Sequence, residues 1–227
     1  TTSKVSIIGC GWLGTPLATQ LISLGVHVIG TTTTENKLPS LKAANIIPIK
    51  VSITPDPIDD YPKALFSGVK TVVVTLPFRR SLKDPFYYRD QIGSLVPFFN
   101  KYQVKHVVFC SSTSVYPSTL QNATEEVLFE PETERAKALL ATESLLLEAS
   151  DFDTTILRFG GLIGPGREPA RFFSGKSDVL DADKPVNLVQ LRDCVQVLET
   201  VIFKSPGNCI MNVVADEHPT KQQFYTQ

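Results

Sequence analysis

The chain has 227 residues, enough to bury a substantial core. Hydrophobic residues make up 42% and charged residues 20%, the balance of a globular protein and not of a polar tail or a membrane-embedded chain. With 22 basic against 23 acidic residues the net charge is -1, so no overall positive field exists to hold a nucleic-acid backbone.

Val5 to Ile8 is a short apolar run ended by glycine, and Leu13, Leu17, Leu21 and Leu24 then recur at helical spacing until Gly25. Val26 to Ile29 reads as a second buried strand, which completes a βαβ unit of about 30 residues. The alternation continues with a strand from Ile46 to Val51, a helical stretch from Tyr61 to Phe66, a strand from Thr71 to Leu76 and a helix from Phe86 to Phe99. A strand from Val104 to Cys110, a long helix from Ala136 to Ala149 and a strand from Thr154 to Phe159 follow. Strands separated by helices predict an α/β fold, a Rossmann-type doubly wound parallel sheet.

Beyond Gly160 the pattern weakens into a glycine- and proline-rich loop, then a helix from Val195 to Phe203 and a strand from Ile210 to Val214. The last ten residues open a helix and stop, so either the chain is cut short there or its C-terminal part is reduced. A single domain over 1–227 is expected, with 160–227 forming the substrate side. No apolar run approaches the roughly 20 residues of a membrane helix, and no export signal precedes the first strand. The expected location is the cytoplasm. Cys10, Cys110, Cys194 and Cys209 are scattered without a C-x-x-C pair, so buried reduced thiols are expected and no metal site.

Gly9-Cys10-Gly11-Trp12-Leu13-Gly14 has the spacing G-x-G-x-x-G between a strand and an amphipathic helix, the setting in which that motif binds a dinucleotide. Gly9 permits the tight turn, Gly11 lets the backbone approach a diphosphate, and Gly14 lets helix and strand pack closely. The amides of Trp12 and Leu13 then face the phosphates, where unpaired N–H groups and the helix dipole favour an anion. A glycine turn that only packs helix on sheet is the bland alternative. After the second strand, an acidic residue suits the ribose of NAD and an arginine suits the 2'-phosphate of NADP. Thr31, Thr32, Thr33 and Thr34 stand there instead, with Lys37 the nearest cation. The cofactor is thus NADP or NAD, with the balance toward NADP; a threonine-rich loop that only caps the next helix is the alternative.

The Gly9 to Gly14 turn, Cys110-Ser111-Ser112-Thr113-Ser114-Val115-Tyr116 and Leu157-Arg158-Phe159-Gly160-Gly161-Leu162-Ile163-Gly164-Pro165-Gly166-Arg167 together resemble the extended short-chain dehydrogenase/reductase superfamily, in particular its atypical NAD-dependent epimerase/dehydratase-like members. The resemblance implies that Ser112 hydrogen-bonds a substrate oxygen, and that Leu76 and Pro77 lie against the nicotinamide ribose. A hydroxyl beside that crevice can polarise a carbonyl; a turn in which Ser111, Ser112 and Ser114 only satisfy backbone groups is the alternative.

The resemblance also implies a tyrosine and a lysine four residues apart on the next helix, and here the chain departs. None of its six tyrosines has lysine four positions later. Anchoring on Glu143 puts Arg135 at the tyrosine place and Leu139 at the lysine place; anchoring on Lys137 puts Thr133 at the former. Neither arginine nor threonine is a ready proton donor. Tyr116, Tyr87 and Tyr88 are substitute candidates, with a packing role the stronger expectation for Tyr116. Arg79, Arg80, Lys83, Arg167 and Arg171 could reach an anionic substrate or stand in solvated loops. His27, His106 and His218 are expected in core or surface roles.

The expected function is therefore an NAD(P)-linked oxidoreductase or epimerase acting on a small carbonyl, sugar or nucleotide-sugar substrate. The alternatives are a catalytically silent dinucleotide sensor and a Rossmann scaffold without cofactor.

Overall fold

A computed structural model describes residues 3–57, 60–79, 81–169 and 182–225. In chain order its first half runs β1 (Lys4–Ile8), α1 (Gly14–Ser23), β2 (His27–Thr32), α2 (Leu38–Ala43), β3 (Ile47–Lys50), β4 (Thr71–Val74), α3 (Phe86–Gly93) and α4 (Val96–Lys101). The second half runs β5 (His106–Ser112), α5 (Glu134–Leu147), β6 (Asp153–Phe159), β7 (Gly161–Ile163), β8 (Leu188–Gln190), α6 (Leu191–Lys204), β9 (Cys209–Val213) and α7 (Lys221–Tyr225). Seven strands form one parallel sheet in the order β3-β2-β1-β4-β5-β6-β9. This is the expected doubly wound fold.

Both faces of the sheet are covered, so its central strands carry apolar runs and not a strict alternation. Ile7, Val73, Val108 and Leu157 point to the side of α1 and α6, where they meet Leu17, Leu21 and Leu198. Their neighbours Ile8, Val72, Val74, Val107 and Phe109 point to the opposite side, where Phe66, Tyr88, Ile92 and Phe99 fill the space. Each such fully buried side chain contributes roughly 1.5–3 kcal/mol relative to exposure.

Three expected elements come out differently. The helix from Phe86 to Phe99 is two helices, because Pro97 has no N–H to continue the ladder and stands instead in the first turn of α4, where none is needed. The stretch from Tyr61 to Phe66 is one 3-10 turn, Lys63–Leu65, bracketed by Pro62 and by Gly68 at φ 71°. The strand expected to reach Leu76 stops at Val74; Thr75 N–H still donates to Ile8 O (3.0 Å), after which Leu76 and Pro77 leave the sheet. The loop-rich segment holds a small parallel pair, β7 and β8, that no periodicity announced.

His106 is buried on β5 with Nε2 hydrogen-bonded to the Thr155 hydroxyl (2.8 Å), and burial lowers its pKa; His27 and His218 are exposed. The four cysteines are free: Cys10 and Cys194 are buried, and burial pushes both thiols up to about 12. Among the described residues no helix is long and apolar enough to cross a membrane.

An ion pair is sealed between sheet and helix. Arg158 of β6 donates from Nη2 to Glu143 Oε2 of α5 at 2.6 Å, and the two side chains are 5% and 3% exposed. Ser111 donates its hydroxyl to the same carboxylate, and Arg158 Nη1 donates to the Tyr116 hydroxyl (2.8 Å). Removing one partner from such a pair leaves an uncompensated buried charge. Glu143→Ala is therefore expected to lower unfolding stability by about 3–5 kcal/mol in urea titration. Replacing both residues by apolar ones of similar volume should restore most of that loss, whereas a single-variant loss under about 1 kcal/mol would mean the pair behaves as a surface pair.

Candidate functional site

From β1 the chain crosses by α1 to β2 on one side; from β4 it crosses by α3 and α4 to β5 on the other. Where the winding reverses, the connections part and leave a crevice beyond the carboxyl ends of the strands. A cleft of about 530 Å³ lies there, lined by the glycine-rich turn, by Thr31 to Thr34, by Leu76 to Arg79 and by the end of β5.

The turn is built around one contact. Gly9 has φ 112°, a conformation side chains disfavour, and its carbonyl accepts from the Thr75 hydroxyl at 2.6 Å. A Cβ on Gly14 would collide with that same carbonyl oxygen, so only glycine lets α1 start this close to β1. Gly11, by contrast, faces open space. The amides of Gly9 and Cys10 donate to Thr31 Oγ1 (2.8 Å) and Thr31 O (2.7 Å), and that of Gly11 to Gly9 O (2.8 Å). Among the described residues none accepts from the amides of Trp12 or Leu13, the two donors that an anion at the start of α1 would use.

Of the threonines, Thr31 is buried and spends its hydroxyl on the turn, Thr32 Oγ1 accepts from Thr34 N–H (3.1 Å), and Thr33 is exposed at the mouth with Lys37. The neighbouring carboxylate, Glu35, is turned to Lys50 Nζ at 2.6 Å. At the opposite end Leu76, Pro77 and Ser112 all line the cleft. Ser112 Oγ accepts from Ser114 N–H (3.1 Å), which leaves its O–H to donate.

The candidate proton donors separate. Tyr116 does not line the cleft: its ring packs on Phe129, and its hydroxyl donates to Asn212 Oδ1 (2.9 Å) and accepts from Arg158. Tyr88 is buried, donates to Leu76 O (2.8 Å), and its phenol is held far above its ordinary pKa by desolvation. Tyr87 stands partly exposed in the cleft wall. On α5, Arg135 and Leu139 face the cleft, eight and four residues before the buried Glu143, while Thr133 caps the helix by accepting from Ala136 N–H (3.1 Å). Arg80 and Arg171 lie outside the described residues.

The sequence reasoning did not single out the segment after β3, Val51 to Ile53, nor Gln91, Phe159 and Leu162, all of which line the cleft. The rule that crevices open at carboxyl ends of strands would have found Val51 and Phe159. It also missed a strap across the turn. Trp12 Nε1 donates to Pro165 O (2.7 Å), the Arg167 guanidinium lies 4.4 Å from the centre of the Trp12 ring, and Gly164 at φ 146° packs tightly against Trp12 and Leu191 in a conformation that side chains disfavour. Among the described residues no three His, Cys, Asp or Glu side chains gather as a metal site requires.

A family model described as NAD(P)H-binding matches residues 9–185, which takes in the turn, the cleft and the strap. The chain belongs to this NAD(P)H-binding family. It is 33% identical over 225 residues to Protein YeeZ of Escherichia coli (strain K12), covering 99% of this chain and 82% of that protein. Among solved structures it is similar to UDP-glucuronic acid 4-epimerase from Bacillus cereus in complex with NAD (TM-score 0.82, 16% identity, 98% of this chain and 80% of that one). It is also similar to MoeE5 in complex with UDP-glucose and NAD (TM-score 0.78, 22% identity, 97% and 79%). At these identities the structural likeness carries the fold and no more.

The two inner glycines of the family turn predict opposite phenotypes. Gly14→Ala should lose roughly 1–3 kcal/mol of stability by calorimetry, because the helix must shift. Gly11→Ala should melt like the parent yet bind dinucleotide at least about tenfold more weakly by calorimetric titration. Equal affinity in Gly11→Ala would mean that no ligand approaches the turn.

Proposed function

We propose that the chain is an NADP-linked oxidoreductase acting on a small carbonyl or sugar-like substrate. The observation that carries this reading is the pair of unpartnered amides, Trp12 and Leu13, opening into the switch-point cleft. They would grip the diphosphate, with Gly11 giving the room. Arg167, fixed on the Trp12 ring, would add charge beside those amides.

NADP is preferred over NAD because no acid lines the adenosine end among the described residues. Glu35 is held by Lys50, and Lys37 and Thr33 stand exposed where a 2'-phosphate would lie. When bound, the reduced nicotinamide would supply hydride to a carbonyl carbon, and the alkoxide so formed would take its proton from water admitted to the cleft. Ser112 would hold the substrate oxygen by its O–H, while Leu76 and Pro77 fix the ribose side.

A second reading, a dinucleotide sensor without turnover, is supported by the alignment on Glu143, in which Arg135 and Leu139, both on the cleft lining, take the places of the proton donor and its lysine. Ser112→Ala separates the two: an enzyme loses rate by roughly 10²-fold with cofactor affinity kept, a sensor shows no turnover to lose.

Trp12 is the one tryptophan of the chain, so intrinsic fluorescence reports the turn directly. Titration should give a lower Kd for NADP than for NAD. Lys37→Ala should weaken NADP roughly tenfold and leave NAD unchanged. Equal affinities in both proteins would assign NAD, and no binding of either would remove the reading altogether.

A further inference from the structure

Trp12 serves two places at once. Its backbone N–H stands just before α1, where among the described residues none accepts from it. Its indole leaves the glycine turn and reaches the segment after β7: Nε1 donates to Pro165 O (2.7 Å), and the Arg167 guanidinium carbon lies 4.4 Å from the centre of the ring. The side chain is only partly buried, packed against the core at the start of α1 and lining the cleft beside Arg167.

The segment that receives the indole is a tight turn. Arg167 N–H donates to Gly164 O (2.8 Å) and Gly164 N–H to Arg167 O (3.3 Å), with Gly164 at φ 146° and Gly166 at φ 77°. Gly164 packs against both Trp12 and Leu191, the first residue of α6. The turn therefore fixes the Arg167 backbone, and the indole fixes the path of its side chain. Stacking engages the flat face of a guanidinium and leaves its N–H edges free for oxyanions. Among the described residues none bonds those edges in Arg167.

We propose that Trp12 is a positioning residue: its indole holds Arg167 against the diphosphate of the bound dinucleotide, and so joins the cofactor turn to the substrate side of the chain. This rests on the reading of the preceding subsection, with the diphosphate at the Trp12 and Leu13 amides, and deepens it by naming what assembles the second half of the grip. A diphosphate bridge is a double anion, whereas a helix N-terminus presents only about half a positive charge. Arg167 adds a whole one. An arginine already laid on an indole loses less freedom on binding than one free in solvent. A linkage follows from the connectivity. β7 runs directly into this turn and its Leu162 lines the cleft, so the ligand that engages Arg167 also steadies that wall.

The test is a double-mutant cycle read by calorimetric titration with NADP. Arg167→Gln should weaken NADP at least about tenfold, by loss of a charge-assisted contact. Trp12→Leu should weaken it about two- to fivefold, and Trp12→Phe, which keeps a ring face without the N–H, by less. In the Arg167→Gln background Trp12→Leu should have little further effect, because the group it positions is gone. A Trp12 that only packs would give the same loss in both backgrounds. Amide hydrogen exchange gives a second readout. The Arg167 amide, bonded to Gly164 O, should exchange at least about tenfold more slowly in the NADP-loaded parent than in the free protein. Trp12→Leu saturated with NADP should lose that protection. Melting curves check that each variant folds, and Trp12→Phe carries the cycle if Trp12→Leu does not.

Additive losses, unchanged NADP affinity in a folded Arg167→Gln, or an Arg167 amide indifferent to NADP overturns the inference and leaves the cofactor reading standing. Failure of the parent to bind NADP, by contrast, removes the preceding reading and this inference with it.

Discussion

The arrangement depends on how closely the first helix approaches the first strand. Gly14 lies against the carbonyl of Gly9, Gly9 adopts a left-handed backbone, and Thr75 from the next strand holds the same carbonyl by a hydrogen bond. This contact aims the start of α1 at the crevice. It also decides which backbone donors are used up. Thr31 takes the amides of Gly9 and Cys10, so the unsatisfied ones, Trp12 and Leu13, fall at the cleft. Two strands and one helix thus cooperate to leave the Trp12 and Leu13 N–H groups without an acceptor among the described residues, an arrangement that an anion completes.

Around that point the molecule separates its charges. Glu143 is locked between sheet and helix by Arg158 and Ser111, and Glu35, next to the threonines at the outer end, is held by Lys50. These two acids are thereby occupied, and the described lining of the cleft holds cations and no carboxylate. The buried Arg158 also ties up the Tyr116 hydroxyl, and burial keeps Tyr88 neutral. Of the three tyrosines considered as proton donors, Tyr87 is thus the one that lines the cleft exposed.

Most of the sheet was legible in the sequence, because buried parallel strands are apolar at every position and glycine marks their ends. The glycine turn was legible for the same reason, with its flanking strand and helix in place. What escaped was set by tertiary contact. Pro97 divided one apolar stretch into two helices, and the pair β7 and β8 is only three residues a strand, too short for any period to show. The strap from Gly164 to Arg167 joins residues about 150 positions from Trp12. No local pattern can report such a contact. Of the residues that the two alignments of α5 put at the tyrosine place, Arg135 lines the cleft together with Leu139, while Thr133 caps the helix.

The most direct test of the central claim follows backbone amide resonances of the labelled protein during titration with ADP-ribose, which keeps the diphosphate and lacks the nicotinamide. The account predicts that the Trp12 and Leu13 amides shift most and become protected from exchange. Unmoved Trp12 and Leu13 resonances under saturating ligand, with the shifts concentrated elsewhere, would contradict it.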